Sequence, residues 1–270
     1  MSAELTALVG CVVVGVFAPV IGTFLVQKRL SLIGDGIGHV AFAGVGAGLL
    51  LGVWPVWTAL LFAVVGAVGV ELLRARRKAS GDLALALFFY AGLALGAVFA
   101  SNAGDVEIET LPFLFGDPLT ITPGGLATIV AVAIAVVAVV VVGGRVLFAI
   151  VSDEDWSRVQ GLPVDRMNVL LAGLAAAVVV AGMRVVGLLL VAALLVMPVA
   201  SAQLLARSFR STMVLASAVG GSCAALGLGL GLLLDVEPGG MIVLLASGVF
   251  AATALITRRA PRTLQQEEHA

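Results

Sequence analysis

Nine apolar stretches, each close to the ~20 residues that a helix needs to cross a bilayer, follow one another with little between them. They lie at about 5–26, 36–53, 55–73, 82–100, 124–144, 167–183, 185–206, 211–234 and 239–257. Nine crossings would use about 180 residues of the 270 in the chain, which leaves too little for a separate folded domain. Only 11 % of the residues are charged and 61 % are hydrophobic. A soluble surface takes roughly a quarter charged residues, so the outer surface of this chain must meet lipid, where helices satisfy their own backbone. The expectation is an all-α polytopic transmembrane bundle of about nine spans. Eight remain open, because only Gly182-Met183-Arg184 separates two of the runs.

Orientation follows from the basic residues, which gather on the cytoplasmic side of membrane proteins. With the N-terminus outside, the inner segments hold all but one of the 15 lysines and arginines. They cluster at Lys28 and Arg29, at Arg74 to Lys78, at Arg145, Arg158 and Arg166, at Arg207 and Arg210, and at Arg258, Arg259 and Arg262; Arg184 stands alone outside. Met1-Ser2-Ala3-Glu4 has no basic n-region, so the first run is expected to stay as a span. Residues 1–257 are read as one membrane domain, with a polar cytoplasmic tail at 258–270 in which His269 is idle. A net charge of −1 gives no electrostatic case for nucleic acid. Cys11 and Cys223 sit in apolar runs as small core residues. Gly44, Gly48 and Gly52, like Gly92 and Gly96, recur at the spacing that lets helices approach closely.

No phosphate-binding loop, His-Glu-x-x-His or Gly-x-Ser-x-Gly motif occurs. The chain is therefore expected not to be an enzyme, and any ATP-driven work would need a second polypeptide.

Three segments hold residues that lipid tolerates poorly. In Ser31-Leu32-Ile33-Gly34-Asp35-Gly36-Ile37-Gly38-His39, Asp35 and His39 are one helical turn apart and share a face. A carboxylate and an imidazole so placed suit zinc, or a harder ion such as manganese. Equally open is a structural role, with Asp35 capping the second span and His39 donating to a backbone carbonyl. The second segment, 152–164, starts at the potential cap Ser152, continues through Asp153, Glu154, Asp155, Trp156 and Arg158, and can stop at Gly161. It reads either as a short cytoplasmic helix for a partner or as a solvated loop. The third, Leu111 to Thr120, is aromatic and broken by Pro and Gly, fitting a re-entrant or interfacial segment as well as a loop. Trp54 and Trp57 fit interfacial anchors.

Five segments, in order along residues 10–250, resemble the permease subunit of bacterial zinc/manganese/iron ABC importers, the ZnuB-like family. They are Lys28 to His39, Gly81 to Phe89, Phe113-Leu114-Phe115-Gly116-Asp117, the loop 152–164, and Val186 to Pro198. Trp156 departs from a usually small residue, and Met197 from a usual aliphatic. The resemblance implies a type II importer in the bacterial plasma (inner) membrane. In it, two permease copies, expected to be a homodimer, pair with two cytoplasmic ABC ATPases and an extracytoplasmic metal-binding protein. It further implies that Asp35 and His39 contact a transported divalent metal, zinc favoured over manganese and iron, with no permanently bound cofactor. Asp153, Glu154, Asp155, Trp156, Arg158 and Gly161 would form the ATPase-coupling segment of an alternating-access cycle. A gradient-driven secondary transporter and an ABC permease for a chelate or vitamin are the competing classes.

Overall fold

The computed structural model describes residues 2–75, 81–102 and 112–259, with the backbone alone at Gly81, Asp82, Leu189, Arg258 and Arg259. The described chain is helical: α1 (Ala3–Gln27), α2 (Ile33–Leu51), α3 (Pro55–Ala75), α4 (Gly81–Asn102), α5 (Pro123–Ser152), α6 (Glu154–Val159), α7 (Val164–Met183), α8 (Leu188–Leu205), α9 (Phe209–Leu234) and α10 (Pro238–Arg259). Eight of these are long and apolar enough to cross a membrane; α8 is shorter in its apolar part, Leu190–Leu205. The charges at 76–78, the acids Asp105, Glu107 and Glu109, and the tail from 260 onward lie outside the described residues. Helix α10 continues to Arg259, two residues into the expected tail.

Local chemistry sets the helix ends. Ser2 caps α1 by accepting from the Leu5 amide at 3.3 Å. Thr122 caps α5 with Pro123 at the first helical position, and Ser208 with Ser211 closes a reciprocal capping box at α9. The 182–187 boundary is a tight turn between α7 and α8, with Gly187 at φ 86°. Helix α5 runs eight residues past the expected end at 144. The helix runs through Gly143 and Gly144 as well as the single charge Arg145, because the apolar Leu147 and Ile150 beyond them are buried against the bundle. Charge marks where lipid ends; it does not stop a helix.

Two helices organise the packing. Helix α1 lies against α5, α7, α8 and α9, while α2 lies against α3, α4, α7 and α8. Small residues make these contacts possible. A Cβ on Gly15 would fall 2.6 Å from the Gly220 carbonyl where α1 crosses α9, and one on Gly92 of α4 would fall 2.7 Å from the His39 backbone. The repeat at Gly44, Gly48 and Gly52 divides its work: the first two face α3, whereas Gly52, at φ 65°, ends α2.

Candidate metal path and its two ends

Successive helical residues turn by about 100°. Gly34 faces Ala192 and Leu195 of α8, and Gly36 faces Leu85 of α4, so Asp35 projects between those two helices. His39, one turn further on, lies on the same side, its ring edge-on to Phe89 of α4 with centroids 4.2 Å apart. Both residues are half-buried. The capping alternative does not hold: the N-cap position is Leu32, no side chain caps α2, and the Asp35 carboxylate has no hydrogen-bond partner among the described residues. Nor does His39 Nδ1 donate to a carbonyl, for it is buried with no partner among the described residues. Such groups are rare in folded proteins, because a buried polar atom without a partner keeps its full desolvation cost. A carboxylate oxygen and an imidazole nitrogen, one turn apart and otherwise unengaged, can ligate a borderline or hard dication. Among the described residues no three His, Cys, Asp or Glu side chains converge as a metal site, so one chain offers at most half of a four-coordinate shell.

At one end of the bundle the segment 152–164 forms the expected short helix, α6. Asp153 ends α5 and caps α6, accepting from the Trp156 amide at 2.9 Å. Gly161, at φ 77°, ends the segment. The three acids divide sharply: Asp153 serves the backbone, Asp155 is exposed, and Glu154 turns into the bundle. Its carboxylate lies 3.4 Å from Lys28 Nζ and 3.5 Å from Arg74, and accepts from Asn168 at 3.3 Å and Arg158 at 3.1 Å. Lys28 also donates to Asn168, Arg74 makes a bidentate pair with the buried Glu71, and Arg158 reaches Asp165 at 2.6 Å. Burial works to raise the Glu154 pKa, but Lys28 and Arg74 outweigh it and hold the carboxyl below its ordinary range. Burial, helped by Arg74, pulls Lys28 down. On the opposite face of α6, Trp156 is 61 % exposed and Val159 79 %.

Sequence reasoning placed Lys28 and Arg74 on one side of the membrane and Glu154 in a loop of that side, without joining them. Asn168 and Glu71 were the available signal, since each is a buried polar residue near the end of an apolar run.

At the other end, residues 112–120 form a helical turn and a 3-10 turn (Pro118–Thr120), not an open loop. Phe113 is buried beneath the Arg184 guanidinium, 5.3 Å from its ring centre. The Asp117 amide donates to the Arg184 carbonyl at 3.3 Å. Gly116 and Gly187, both at φ 86°, sit so close that a Cβ on Gly187 would fall 2.2 Å from the Phe115 carbonyl carbon. Asp117, Asp235 and Glu237 border a cavity of about 540 Å³ there. Burial, reinforced by Asp117, raises the Glu237 pKa.

Residues 2–257 match the model of the ABC 3 transport family. This chain belongs to that family. A member of the ABC 3 transport family is a membrane transport subunit rather than an enzyme. The chain is similar to the manganese transport system membrane protein MntC of Halalkalibacterium halodurans, with 29 % identity across 91 % of this chain and 84 % of that one. It is similar to the manganese import system permease protein ScaB of Streptococcus gordonii, with 29 % identity across 93 % and 90 %. Its fold matches the structure of PsaBC from Streptococcus pneumoniae in complex with Fab at a TM-score of 0.83, 29 % identity, and coverage of 92 % and 90 %.

Proposed function

We propose that the chain is the permease of an ATP-driven importer of a divalent first-row transition metal, and that Asp35 and His39 hold the ion briefly in transit. The observation that carries this reading is the unpartnered His39 Nδ1 beside the unpaired Asp35 on one face of α2. Two copies about a two-fold axis would bring two carboxylates and two imidazoles together, enough for transient four-coordination. A site that must also release its ion is better built from few ligands than from many.

The zinc preference drawn from the His–Asp pair gives way to a broader cargo. MntC and ScaB, two of the similar proteins named above, are a manganese transport system membrane protein and a manganese import system permease protein, and a carboxylate suits manganese as an imidazole suits zinc. Manganese is at least as good a candidate. The gradient-driven alternative loses its support through membership of the ABC 3 transport family.

The permease body is residues 1–257, and α6 within 152–164 is the element that docks on the ATPase. Its exposed Trp156 and Val159, with Asp155 and Arg158 beside them, present a small apolar surface rimmed by charge. Gly161 sets where that surface ends. The end bearing Lys28, Arg74 and α6 is the cytoplasmic one, with the N-terminus outside. Support comes from three basic or coupling segments, far apart in sequence, that meet in space. The partners are a second copy, two ATPase subunits and an extracytoplasmic metal-binding protein, in the bacterial plasma membrane. ATP closing the ATPase pair would rock the bundle and switch access to the ion site.

The test is uptake by proteoliposomes holding the complete complex, with manganese, zinc and ferrous iron in competition. Manganese is expected to enter and to be displaced by excess zinc, and Asp35→Ala and His39→Ala each to abolish entry. Full uptake by both variants removes the site.

A further inference from the structure

Two side chains of α6 reach the rest of the bundle through ion pairs: Arg158 pairs with Asp165 of the adjoining α7, and Glu154 reaches further, through a web of charges. It touches Lys28 between α1 and α2, Arg74 in the last turn of α3, and Asn168 in α7. These contacts span long sequence separations, so they bind α6 to three other parts of the fold at once. Lys28 is itself well placed. Its amide donates to Phe24 at the end of α1, and α2 begins five residues later. Asp35 stands in the first turn of α2, and a helix moves as a rigid body. A displacement of Lys28 therefore reaches Asp35 and His39 with no slack segment other than residues 29–32 between them. The exposed neighbours Asp155, Trp156 and Val159 leave the opposite face of α6 free for a partner, so one helix holds the ATPase on one side and the bundle on the other.

We propose that Glu154 is a positioning residue that ties α6 to the start of α2 through Lys28, so that movement of α6 shifts the Asp35–His39 pair. This deepens the functional reading above and rests on it. Arg74 and Asn168 hold the carboxylate and the ammonium in register, and the Glu71–Arg74 pair anchors that register to α3.

The experiment uses the full complex with its ATPase subunits. A nitroxide is placed at Leu32→Cys, which is exposed in the α1–α2 connection, while both native cysteines are buried. ATP is expected to change the label's mobility with wild-type Glu154. With Glu154→Gln the change should disappear, and manganese moved per ATP hydrolysed should fall about tenfold while hydrolysis continues. Glu154→Asp should restore part of both. The double variant Lys28→Gln/Glu154→Gln should be no worse than either single one, as expected for residues acting through one contact. Arg29→Gln, which alters an exposed neighbouring cation, should leave both readouts intact.

An ATP response at position 32 that survives Glu154→Gln overturns the proposal. So does no response in the parent, or a parallel loss of uptake and hydrolysis with their ratio unchanged. If the label responds, and loses its response with Glu154→Gln, yet no metal enters the vesicles, the tie stands and the cargo assignment falls.

Discussion

Four donors converge on the Glu154 carboxylate, whereas His39 keeps a buried nitrogen with no partner among the described residues. Both lie in a molecule that is mostly hydrocarbon, where a bare polar group costs more than in water. The difference separates two kinds of polar residue. Those that hold helices in place are saturated by their neighbours, as Glu154, Glu71 and Asn168 are. Those that await a ligand are left open, and removing them should cost the fold little.

The largest effects should come from forcing that contrast. His39→Ala and Asp35→Ala are expected to cut metal uptake at least about a hundredfold. The detergent-solubilised protein should lose little stability, since neither change forfeits a hydrogen bond among the described residues and His39→Ala gives up only its ring contact with Phe89; a Tm drop as large as that of Glu71→Ala would mean that the pair is structural after all. Glu71→Ala should do the reverse. It leaves the Arg74 guanidinium without its bidentate partner at a site where Glu71 is 3 % exposed. The expected loss is about 3 kcal/mol, measurable by thermal unfolding.

The smallest effect is one of pH. The Glu154 carboxyl titrates below its ordinary value of 4.5 when folded. Its stabilisation is therefore complete above 4.5 and drains away as pH falls from there through the folded value. With the carboxylate a third exposed, solvent screens these pairs and keeps the effect small. The protection of the α6 amides, taken relative to their intrinsic exchange rate at each pH, should fall on acidification through that window in the parent, and Glu154→Gln should flatten the dependence. An unchanged profile would deny the carboxylate its ionised role.

The sequence disclosed some of this and not the rest, for physical reasons. The helices were legible because lipid imposes both a length and a composition on each crossing. The Asp35–His39 pairing was legible because residues four apart on a helix share a face. The end of α5 was not, since Arg145 signals the aqueous boundary while the backbone continues through Val146 to Ser152. The inward turn of Glu154 was equally hidden. Asp153, Glu154 and Asp155 are chemically near-equivalent, and only the placement of Lys28, Arg74 and Asn168 distinguishes them. Gly52 looked like a third packing glycine and proved to be a terminator, because spacing does not record the sign of φ.

The length of α5 has a mechanical corollary. Thirty residues make a rod of about 45 Å, while the hydrocarbon layer is about 30 Å thick. A rod of that length standing upright would carry about 15 Å beyond the oily slab, and α6 is mounted at its C-terminal tip. A push delivered there acts at the end of a lever, so torque rather than slack reaches the buried body of the transporter.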